Sequence, residues 1–107
     1  MKKIIIKRII PLLLLSIAAT AHAAPFERGD AQAGKKFFEA NNCNRCHMGK
    51  VGGDGSAIFT RPDRIVHNPK ELIARLGVCG GAAGVTLTPQ DEQNLGAWLN
   101  QTYYKFK

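Results

Sequence analysis

The 107-residue sequence has no stretch in which apolar and polar residues alternate over the length of a strand, so nothing in it competes with a helical reading. It also lacks an apolar run of the roughly 20 residues that a membrane-spanning helix needs. The apolar stretch from Ile9 to Ala19 is too short and is broken by Pro11. Aromatic residues make up 7%, and none is interleaved with basic residues in the manner of a nucleic-acid-binding surface. Beyond Met1 there is one methionine, Met48, and the three cysteines include only one closely spaced pair. A structural zinc site, which needs a second pair of ligands, is therefore excluded. Excess charge of one sign is small once its location is considered. The net charge is +7, but Lys2, Lys3, Lys7 and Arg8 account for four cations at the very start. Over residues 24–107, 11 Lys and Arg face 8 Asp and Glu, which leaves +3 and no case for a nucleic-acid partner.

Those four cations, the apolar stretch that follows and the small-residue sequence Ala21-His22-Ala23 have the order of an export signal. Cleavage is expected after Ala23. Residues 24–107 then form one small domain, whose apolar core is marginal unless another group enlarges it or cross-links it. An exported chain with three cysteines has one thiol too many for disulfides alone.

Cys43-Asn44-Arg45-Cys46-His47 has the form C-x-x-C-H. Two intervening residues set the thiols about one helical turn apart, so both can bond to vinyl groups on one edge of a porphyrin, and the adjacent histidine can ligate its iron. This is the attachment pattern for haem c. A redox-active C-x-x-C would sit in alternating strands and helices, which are missing here.

The flanks predict three helices. Asp30 is an N-cap, and Ala33, Phe37, Phe38 and Ala40 form an apolar stripe through Ala31 to Asn42. Asn68-Pro69-Lys70-Glu71 opens a middle helix with Leu72, Ile73 and Leu76 on one face and Gly77 as its expected stop. Thr88-Pro89-Gln90-Asp91 opens the last, with Leu95, Trp98 and Leu99 on one face and an end near Tyr103. The turn around Gly52, Gly53, Asp54 and Gly55 reads as mobile.

With these elements in place the chain resembles a class I cytochrome c over residues 24–107. The resemblance implies an all-α fold with three main helices around one covalently bound haem. Gly34 and Phe38 match the family's small and aromatic positions on the first helix, which would let the last helix approach near Leu95 and Trp98. Arg61 and Arg64, beside Pro62 and Asp63, stand where side chains of this family often meet a haem propionate.

The departure from the family is the distal iron ligand. Class I cytochromes usually place a methionine before the last helix, and none is there. Met48 directly follows His47, and one residue spans at most about 3.6 Å, too little to pass round a macrocycle. Four alternatives stay open: Cys79 in the segment after the middle helix, His67 before it, Asn68, or an open position. The resemblance further implies a periplasmic one-electron carrier with no catalytic residues, transient redox partner proteins and no membrane span after signal removal. A gas-binding or catalytic haem protein, and a cytochrome subunit of a larger dehydrogenase, are the alternatives.

Overall fold

A computed structural model describes residues 24–107, and the expected export signal at 1–23 lies outside them. The described chain forms five α-helices and no strand: α1 (Ala31–Ala40), α2 (Arg45–Val51), α3 (Ala57–Thr60), α4 (Pro69–Ala82) and α5 (Pro89–Leu99). The last continues as a π-helical turn over Asn100–Tyr104. No helix among the described residues is long and apolar enough to cross a membrane.

All three expected caps are formed. Asp30 accepts from the backbone N–H groups of Gln32 and Ala33 at 2.9 and 3.2 Å. Asn68 accepts from Glu71 at 2.8 Å, and Glu71 accepts in return from the His67 N–H at 2.9 Å. Thr88 and Asp91 close a reciprocal capping box at 3.1 and 3.0 Å. Each cap satisfies donors that a helix start leaves without partners, which fixes where the helix begins.

The helix ends depart from expectation. Gly77 does not stop α4, which runs five residues further, to Ala82. The stop is Gly84, at φ +73°, with the Val85 N–H turned back onto the Gly80 carbonyl at 2.8 Å. A glycine inside a helix costs only about 1 kcal/mol, and at Gly80 the returning chain comes so close that a Cβ would lie 3.1 Å from Leu87. Two short helices, α2 and α3, were not foreseen. The first of them carries Cys46 and His47.

The most extensive pairing of elements joins the two ends of the described chain, α1 against α5. Gly34 makes it possible: a Cβ there would collide with the Asn94 carbonyl and lie 3.0 Å from the Leu95 nitrogen. The Asn94 side chain accepts from the Asp30 N–H at 2.8 Å and so pins the start of α1 to α5. Beneath this crossing lie Phe38, Phe59, Leu72, Leu95, Leu99 and Tyr104, all buried. Phe38 meets Trp98 at 4.8 Å between ring centroids, and Phe59 stacks on Tyr103 at 5.0 Å. These rings pack as core. The π-turn brings Tyr104 inward, and Asn100 clamps the backbone of Phe106 by accepting from its N–H at 2.7 Å and donating to its carbonyl at 3.1 Å.

Candidate haem site

The core is open on one side. A small apolar cleft of about 70 Å³, lined in part by Phe38, Leu72, Leu76, Leu95 and Leu99, reaches Cys43, His47 and Cys79. It shares those three residues with a larger cleft of about 540 Å³ that also borders Cys46, Arg61 and Arg64. Ligand pockets typically measure roughly 300–1,000 Å³, and the larger cleft falls in that range.

Cys43 precedes α2 and is half-buried, while Cys46 on its first turn is exposed. Neither forms a disulfide, and Cys79 is also a free thiol. Burial pushes the Cys43 thiol up, and nearby Cys79 adds to the shift. His47 stands edge-on to Phe59, with ring centroids 5.4 Å apart and planes at 84°. Desolvation pushes its imidazole down, and the positive charges of Lys50 and Arg75 act the same way, which favours the uncharged ring that a metal ligand needs.

The structure gathers Cys43, Cys46, His47, Arg61, Arg64 and Cys79 around one opening. Cys79 is not in a loop, as its neighbouring glycines suggested, but on the last turn of α4. His67 borders neither cleft and is exposed; Asn68 is committed to its cap. Met48 is exposed and borders neither cleft. The Nε of Arg61 is 3.2 Å from Asp63, yet it is buried without a hydrogen-bond partner because the geometry is misaligned. Arg64 donates from Nε to the Val66 carbonyl at 3.2 Å and lies over the Tyr104 ring at 5.9 Å. The tail Tyr103-Tyr104-Lys105-Phe106, a candidate cover for one haem edge, brings Tyr104 to both clefts, and two further residues belong to the site and were missed: Arg75, which lines both clefts, and Asn44, beside His47. Arg75 could have been found by spacing, because Leu72, Arg75, Leu76 and Cys79 share one face of α4.

Free thiols at Cys43 and Cys46 and the His47 imidazole stand together at the rim of a cleft, inside a shell of helices. The family model for cytochrome c matches residues 31–103, and the chain belongs to the cytochrome c family. Comparison with curated proteins and with solved structures gives no match.

The family implies haem c and haem-based electron transfer. The residues present fit the group: apolar walls for the macrocycle, two free thiols for its vinyl groups, and two guanidinium groups, Arg61 and Arg64, on the larger cleft, suited to propionates.

Proposed function

We propose that this chain is an exported one-electron carrier, periplasmic after loss of residues 1–23, with a single haem held through thioether bonds to Cys43 and Cys46. The observation that carries the reading is the position of Cys43, Cys46 and His47 on one cleft of a cytochrome c family domain. When bound, haem c supplies a one-electron ferric–ferrous couple. His47 would ligate the iron, and Cys79 would be its second protein ligand, because it borders the same two clefts as His47 whereas His67 borders neither. Arg61 and Arg64 would hold the propionates. The buried aromatic and aliphatic side chains keep water from the iron, and the open side of the cleft serves weak, transient docking with redox proteins.

Optical and electron paramagnetic resonance spectra of the purified holoprotein, with and without carbon monoxide, test the reading. A low-spin ferric signal of the type given by thiolate ligation supports a closed Cys79-ligated site. A high-spin ferric signal with rapid carbon monoxide binding to the ferrous protein would move the function toward gas binding or catalysis.

A further inference from the structure

Asn44 stands at the N-cap of α2, where asparagine ordinarily accepts a hydrogen bond from the helix backbone, but its side chain makes no such bond. Its Nδ2 donates instead to the Asp54 carbonyl at 2.9 Å. Its Oδ1 lies 3.0 Å from Nδ1 of His47. These two contacts determine each other. A backbone carbonyl can only accept, so the amide nitrogen must face Asp54 and the amide oxygen must face the ring. That oxygen can also only accept, so Nδ1 is the ring nitrogen that carries a proton here, and Nε2 is the one left to face a metal.

The 52–55 turn is shaped to hold this arrangement. Gly52, Gly53 and Gly55 all have positive φ, and the Asp54 carboxylate accepts from the Ser56 N–H at 2.9 Å. A Cβ on Gly55 would sit 2.9 Å from the His47 Cβ, 3.0 Å from the Asn44 carbonyl oxygen and 3.0 Å from the Met48 nitrogen. The turn is therefore a backing wall to the histidine, and it presents the one carbonyl that orients Asn44. On the other side the ring meets Phe59.

We infer that Asn44 is the positioning residue of the iron-ligating histidine: it fixes which nitrogen of His47 faces the cleft and, by accepting the Nδ1 proton, sets how strongly Nε2 donates to iron. The inference rests on the haem reading above. A ligating histidine is ordinarily oriented by a partner on its second nitrogen, and that partner raises its basicity. Stronger donation favours ferric iron, and weaker donation favours ferrous. Asn44→Leu keeps the volume but removes the acceptor, so the midpoint potential rises. Gly55→Ala displaces the backing turn and shifts the potential in the same direction.

The test begins with the wild-type holoprotein, isotope-labelled at histidine. Magnetic resonance of the ferrous form is expected to show a His47 Nδ1–H signal that exchanges slowly with water. In Asn44→Leu that signal is lost or exchanges faster, together with the upward shift in potential. A loaded wild-type protein whose Nδ1–H exchanges like free imidazole overturns the inference by itself, whether or not the variant accumulates. So does an Asn44→Leu holoprotein with wild-type potential and wild-type proton protection. A wild-type protein without covalently bound haem is a different failure, because it removes the electron-carrier reading and the inference together.

Discussion

Gly34 and Asn94 are in backbone contact across the α1–α5 crossing, with no space between them for a side chain. Gly77, also within a helix, has nothing within 4 Å of where its Cβ would be. The two glycines predict opposite outcomes. Gly34→Leu forces α1 from α5 and destabilises the holoprotein by at least the roughly 1–3 kcal/mol that overpacking costs. Gly77→Ala removes backbone freedom from the unfolded chain and stabilises by about 0.4–1 kcal/mol. Denaturant midpoints of both variants check this, and equal midpoints would show that the crossing is not where it is placed.

The thiols of Cys43 and Cys46 are expected to carry the haem. A Cys43→Ser, Cys46→Ser double variant should yield no covalently bound haem by intact mass or by absorbance of the denatured protein. Normal covalent loading in that variant would refute the attachment site.

For the distal ligand, Cys79→Ala should replace the ferric low-spin signal with a high-spin or different low-spin species, and His67→Ala should leave it unchanged. His67 is exposed and borders neither cleft, so only a rearrangement of the α4 start could bring it to iron. The reverse pattern in paramagnetic resonance spectra would reassign the ligand to His67.

Burial pushes the Tyr104 phenol up to about 12, with Arg64 and Arg75 opposing the shift and Cys79 adding to it. An exposed tyrosine titrates near roughly 10. The folded chain therefore holds this proton more tightly than the unfolded one. The resulting stability is complete below pH ~10 and is lost as pH climbs from ~10 through about 12. Unfolding midpoints followed across this range should fall, and Tyr104→Phe should flatten the fall. Parallel curves for the two proteins would contradict it.

What could be read from the sequence was what is local. The caps at Asp30, Asn68 and Thr88 are decided within three residues, and each helix begins where its cap predicts. The haem motif is likewise contiguous. The end of α4 was misplaced because Gly77 carries a local stop signal, while the helix is extended by contacts made later in the chain, such as Leu87 against Gly80. That error put Cys79 in a loop. Arg75 was passed over because a charged residue on an apolar stripe reads as an interruption, although here it borders the cleft that the stripe lines. The 52–55 turn was read as mobile because glycines signal freedom, and nothing in their order shows that a histidine lies against them. Asn44 was hidden inside the motif, where its position usually carries no meaning.

The crossing of α1 and α5 also bears on what happens when the chain is broken. Residues 81–84, from the end of α4 toward α5, are exposed, although Ala82 and Ala83 also border the larger cleft. A cut there would separate α5 and the π-turn from the rest of the domain in sequence only. The bonds that join Asn94 to Asp30, and Gln90 to the Arg28 carbonyl at 3.0 Å, lie wholly outside the cut and link one fragment to the other. The smaller piece would therefore be held as a clasp, by its crossing with α1 and by these bonds rather than by the backbone alone.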